Sequence, residues 1–193
     1  MTRFLLPLLV LACLAGRAAA APPGPVLTFR SETFCVPEMT VSEPVVLAAE
    51  KPAGVIVKVV DVDAMAACLA DAGGVRPYAL FELPADGRIA SVNAGAVIEQ
   101  KRLLAPRVVT LDADRRVVRA FAPDALMRRG QTLSVLFRPQ AQERFVAVLA
   151  DPGLVGKRLA LTLDAGREDL STPYSYEGQA FARVYVADPA ARR

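Results

Sequence analysis

Short apolar runs separated by Gly, Pro, Asp and Asn recur along most of this chain. "PVLTF" near Val26 and "PVVLAAE" near Val45 come first, followed by "GVIVKVVDV" (Gly54–Val62), which is β-branched at six of its nine positions. "YALFELP" (Tyr78–Pro84) and "RIASVNAG" (Arg88–Gly95) flank "PADG", whose Asp-Gly is a turn signal. "RVVTL" and "RVVRAF" flank "DADR", and then come "QTLSVLFRP", "RFVAVLAD", "KRLALTLD" and "GQAFARVYVAD". Within "TLSVLFRP", Leu133, Val135 and Phe137 fall on one face while Thr132, Ser134 and Leu136 fall on the other. A period of two is the mark of a sheet with one side in a core.

About ten short strands with turns every 8 to 15 residues predict an all-β fold, an antiparallel β-sandwich or jelly-roll-like domain. One short helix is expected near residues 61–73, where Ala64, Ala67, Cys68 and Asp71 keep helical spacing and Gly73 can end the turn. Short turns are expected in "PDALMRRG" and "DPGLVG".

"DADR" admits two readings. Asp112 and Asp114 could be calcium ligands or the polar tip of a hairpin. A calcium loop brings further oxygen ligands and a glycine within about a dozen residues. Here Arg115 and Arg116 follow instead, and Asp readily caps turn amides, so a hairpin is the expectation.

The first twenty residues read as an address. Arg3, the apolar run Phe4–Gly16 and the small residues around Ala20 predict a signal peptide over 1–20, cleaved before Ala21. The apolar run is shorter than the ~20 residues a membrane-spanning helix needs, so the chain is expected not to span the membrane. A competing reading makes Cys13, in "VLAC", a lipoprotein cysteine. Residues 21–25 read as an extended leader, 26–187 as a single domain and 188–193 as a disordered tail.

Removing Arg3 and Arg17 with the leader leaves 21 basic residues against 20 acidic, a net charge of +1. Without a basic stripe there is no electrostatic footprint for nucleic acid. The arginines from Arg115 to Arg129 are interleaved with Asp112, Asp114 and Asp124 and read as a mixed solvated surface. After cleavage two cysteines remain, Cys35 and Cys68, and in an oxidising compartment an isolated pair is expected to form a disulfide. A redox role lacks the C-x-x-C spacing.

The chain contains no histidine. That removes the Ser-His-Asp triad, the Cys-His pair and nearly all catalytic zinc sites. Phosphate-binding and dinucleotide-binding glycine motifs and the G-x-S-x-G elbow are also missing. Carboxylate-pair hydrolysis is left, with Glu82, Glu99, Asp151, Glu168, Asp169 and Glu177 as its candidates. No cofactor, metal site or catalytic residue is expected. For binding, Tyr174 and Tyr176 in "TPYSYEG" lie two apart, with Glu177 beside them as a hydrogen-bonding group. They form either a small sugar-stacking platform or a cap on the end of the core.

The order of motifs resembles the MalM family, the periplasmic proteins of bacterial maltose operons. The residues that carry it are "LAPRVVTLDADRRVVRAF" (Leu104–Phe121), "LFELPA" (Leu80–Ala85), "RFVAVLADPGLVGKRL" (Arg144–Leu159) and "TPYSYEGQAFARVYV". The resemblance spans about Tyr78 to Val186. It implies a periplasmic, non-enzymatic accessory connected with maltodextrin uptake, whose partner is an envelope protein or an oligosaccharide. Two other classes stay open, a carbohydrate-binding module using the tyrosine platform and a carboxylate-dependent hydrolase.

Overall fold

Alternation of the kind seen in "TLSVLF" becomes, in three dimensions, two sheets pressed face to face. A computed structural model describes residues 35, 43–48, 54–63, 66–71, 74–85, 88–161 and 170–187. The expected signal segment with Cys13, the expected leader and tail, and the candidate strand at Val26 lie outside the described residues.

The strands among the described residues are β1 (Val45–Val46), β2 (Gly54–Val62), β3 (Cys68–Asp71), β4 (Gly74–Glu82), β5 (Ile89–Val97), β6 (Leu103–Leu104) and β7 (Pro106–Leu111). They continue with β8 (Val117–Ala120), β9 (Met127–Arg129), β10 (Thr132–Phe137), β11 (Phe145–Ala150), β12 (Arg158–Leu161), β13 (Leu170–Ser175) and β14 (Gly178–Val186). One sheet has six strands in the order β1-β4-β11-β7-β8, with β3 also on β4. The second has the order β2-β14-β5-β10-β9, and β12-β13-β6 form a small third sheet. Pairing is antiparallel except for β1 with β4 and β6 with β13.

The all-β expectation holds, with most strands where the sequence placed them. Leu133, Val135 and Phe137 are buried, whereas Leu136 on the opposite face is 48% exposed. The main core joins Phe81, Val108, Val146 and Val148 of the six-stranded sheet to Val92, Ala94, Ala182 and Val184 of the five-stranded one. Each large side chain so buried contributes roughly 1.5–3 kcal/mol relative to leaving it in water. The six-stranded sheet is apolar on its other face too. Leu69, Tyr78, Leu80, Val109, Leu111, Ala147 and Leu149 form a second buried cluster there. At the end of that face Arg76 is also buried. Loss of hydration lowers its pKa, the charge of Arg107 adds to this, and Asp151 opposes it.

One expectation needs correction. The helix near residues 61–73 is not formed. Val62 still belongs to β2, and Cys68–Asp71 is strand β3, paired with β4 from Cys68 opposite Pro77 to Asp71 opposite Gly74. The helical stripe there offered only Ala and Cys to a core, whereas the strand buries Leu69 completely and joins Cys68 to Cys35. Long-range pairing outweighed a weak local preference. "PADG" turns as expected, at Ala85, and the strands it links, β4 and β5, lie in different sheets. The chain crosses between the two large sheets there, and again between β8 and β9 and between β10 and β11.

"DADR" does make a hairpin. β7 and β8 are antiparallel neighbours, and Asp112 closes the turn by accepting the Arg116 amide on Oδ1 at 2.8 Å. Arg115 takes a positive φ of 62°, and Asp114 pairs with the Arg116 guanidinium at 2.6 Å. Both aspartates therefore serve the turn. The expected turn in "PDALMRRG" appears as a 3-10 turn over Pro123–Ala125 that leads into β9, and residues 152–156 of "DPGLVG" form turns.

Cys35 and Cys68 are joined as a disulfide, Cα to Cα 4.7 Å, across 33 residues of sequence. A crosslink closing a loop of that size stabilises by roughly 3–4 kcal/mol through lost denatured-state entropy.

Candidate functional site

Three segments remote in sequence meet at one end of the five-stranded sheet and leave a cleft of about 510 Å³ between them. Ile98, Glu99, Gln100 and Lys101 supply one wall from the chain between β5 and β6. Arg128, Gly130 and Gln131 supply the second from β9 and the β9–β10 turn, and Ser171 and Thr172 of β13 the third. That volume falls in the range of small-ligand sites.

Backbone and side-chain hydrogen bonds hold these walls together. The Ile98 amide donates to the Gln131 carbonyl at 2.8 Å, joining the first wall to the second. The Thr172 hydroxyl donates to the Glu99 carbonyl at 3.3 Å, joining the third to the first. Arg158 braces the third wall from outside, reaching Ser171 Oγ and its carbonyl oxygen, each at 2.7 Å. Gly130 sits at φ 62°, a left-handed turn position suited to glycine, and the Arg128 guanidinium donates to its carbonyl at 3.2 Å.

The predicted binding residues fall beside this cleft in different settings. Glu177 and the cleft carboxylate Glu99 both pair with Arg102, at 3.1 and 3.3 Å. These three side chains are 30–45% exposed, so the network positions the rim and adds at most about 1 kcal/mol per pair. Tyr174 shares β13 with Ser171 and Thr172, and its ring packs half-buried against the main core. Burial raises the pKa of its hydroxyl. Tyr176, just past the strand end, is 40% exposed. One ring thus caps the core while the other faces water, and neither lines the cleft.

Sequence reading missed Gln100, Lys101, Arg128, Gln131, Ser171 and Thr172, which carry no motif and converge only through strand pairing. The same holds for Glu143, a carboxylate with its side chain fully buried. It accepts from Arg119 Nε and Nη2 at 2.5 and 2.7 Å, from the Thr110 hydroxyl at 2.6 Å and from the Gln140 amide at 2.8 Å. The Arg119 guanidinium lies over both Phe121 and Phe137, about 5 Å from each ring centroid. With its acceptor positions so engaged, Glu143 is a structural anchor rather than a poised base.

The other carboxylates considered for hydrolysis are dispersed. Asp151 caps its own turn, accepting the Gly153 amide at 2.9 Å, Glu82 ends β4, and Glu168 and Asp169 lie outside the described residues. Chemically, the cleft offers amide, hydroxyl and charged hydrogen-bonding groups around one apolar side chain, Ile98. No group of three or more metal-ligating side chains occurs among the described residues, and no helix there is long and apolar enough to cross a membrane.

Comparison with known proteins adds no relative: no family model, curated protein or solved structure matches the chain.

Proposed function

We propose that this chain is an exported, non-enzymatic binding module of the bacterial envelope that holds a polar, hydroxyl-bearing ligand, such as a maltodextrin, in the cleft between β5–β6, β9–β10 and β13. The observation that carries this reading is the lining itself. Gln100 and Gln131 supply paired donors and acceptors beside the hydroxyls of Ser171 and Thr172, flanked by Glu99, Lys101 and Arg128. Such a set suits a ligand rich in hydroxyls, each of which both donates and accepts. Three further observations support a binding role over turnover. The chain has no histidine, both cysteines outside the signal segment are joined to each other, and the buried carboxylate Glu143 is saturated with donors. The disulfide also favours an oxidising compartment, in line with the signal-like first twenty residues.

In this reading recognition rests on hydrogen bonds rather than stacking, since Tyr174 packs against the core. Calorimetric titration with maltotriose to maltoheptaose tests this. Saturable heat that is lost in Gln131→Ala and retained in Tyr176→Ala is the expected result. No heat at millimolar sugar overturns the carbohydrate reading. Heat lost only in Tyr176→Ala favours the platform instead. N-terminal sequencing of the periplasmic fraction tests export, with Ala21 as the expected first residue.

A further inference from the structure

We propose that two copies of this chain associate through antiparallel pairing of β2 with β2, joining their five-stranded sheets into one ten-stranded sheet. Sheet edges are templates for further pairing, and proteins usually blunt them with short strands, charge, proline or bulges. Most edges described in this molecule are blunted. β1 has two residues, β9 has three, of which two are arginines, and β8 has four, with Arg119 drawn onto Glu143. β2 is different. It runs for nine residues without proline, in register with β14 through nine consecutive pairs and no bulge. Among the described residues no strand pairs with its other edge.

The outward side chains of β2 fit a self-pairing. Val55, Val57 and Val59 share the face away from the core and are 56%, 43% and 50% exposed. Asp61, next on that face, is drawn toward β14 by the Gln179 amide at 3.1 Å, away from the other edge of β2. A two-fold axis normal to the sheet keeps each face continuous, so it must pass through one residue pair. Centring on Lys58 opposes two like charges, and centring on Val59 sets Val57 against Asp61. Centring on Val57 sets Val55, Val57 and Val59 against Val59, Val57 and Val55 of the second copy, with Lys58 opposite Ile56. Only that register stacks valine on valine throughout and keeps the lysines apart. It is isologous, as a closed dimer requires.

Sedimentation and light scattering of the full mature protein across micromolar to millimolar concentration form the test. The expected result is a monomer–dimer equilibrium that Val57→Lys weakens by about tenfold or more. Leu136→Lys, on the same face but three strands away, should leave it unchanged. Val57→Cys should crosslink two copies under oxidation faster than Val55→Cys, because only residue 57 meets itself across the axis. A protein that stays monomeric at millimolar concentration overturns the proposal. So does equal loss of association in Leu136→Lys, which would place the contact on the sheet face rather than its edge.

Discussion

The two large sheets treat their outward faces in opposite ways. On the six-stranded sheet, Tyr78, Leu80, Val109, Leu111, Ala147 and Leu149 point away from the main core and are still buried, none more than 4% exposed. On the five-stranded sheet, Val55, Val57, Val59, Leu136 and Met127 point away from the core and are 43–60% exposed. The strands behind these faces read alike. "FVAVLA" of β11 and "GVIVKVV" of β2 are both near-continuous apolar runs. Such a run is what a strand buried on both sides requires. β11 lies between β4 and β7, whereas β2 has one paired edge described and an open outer face. Apolar sequence therefore reports that a strand can be buried twice, and position in the sheet decides whether it is.

The largest expected effect probes how the six-stranded sheet is tied to the connection that enters it. Glu143→Ala strips the buried Thr110 hydroxyl and the Arg119 guanidinium, 27% exposed, of their shared acceptor and should cost about 3–4 kcal/mol, read from urea unfolding. A loss below about 1 kcal/mol would show that water replaces Glu143 as the partner of Arg119 and that the anchor is superficial. Opening the disulfide with Cys35→Ser and Cys68→Ser together should cost roughly 3–4 kcal/mol, with the loss confined to the crosslink if the sheet itself is unchanged. Persistence of the native melting temperature in the double variant would contradict the crosslink's contribution.

The direct comparison between the faces uses the same substitution on each sheet. Leu149→Ala should cost about 2–5 kcal/mol, since Leu149 is 1% exposed. Leu136→Ala, at 48% exposed, should stay within about 0.5 kcal/mol. Equal costs would erase the difference drawn between the faces.

The smallest effect concerns Tyr174. Its hydroxyl pKa is raised by burial above the ordinary 10.0. The folded state thus favours the neutral phenol. That contribution to stability is fully present below the unfolded pKa and is lost as pH rises through the higher folded value. Ultraviolet titration of the wild type minus Tyr174→Phe should show one tyrosine ionising above pH 10, and the variant should lose less stability at alkaline pH. A difference curve centred at or below pH 10 would refute this.

Several features were legible in the residues. The hairpin at "DADR" followed from Asp112 and Asp114 standing between valine runs and ahead of two arginines. The alternation of Leu133, Val135 and Phe137 was equally readable, and so was the Cys35–Cys68 bond, given the expectation that Cys13 lies in a signal peptide. β3 was not, because four residues are too few to show a periodicity. The stretch Ala72-Gly73-Gly74 was the missed signal, since glycine between two short apolar runs marks a hairpin as readily as a helix end. The cleft was illegible for a different reason. Gln100, Gln131 and Thr172 are dozens of residues apart, and nothing local to any of them announces the others.

By itself, then, the sequence determined the all-β class, most strand positions and the absence of histidine chemistry, because periodicity of two, turn residues and composition are local properties. Only the tertiary structure decided which turns cross between sheets, which apolar faces are sealed, that Glu143 is held by Arg119, and that three ordinary polar segments enclose a cleft. Those outcomes depend on strand order, and strand order arises from long-range pairing whose energy no short stretch of chain contains.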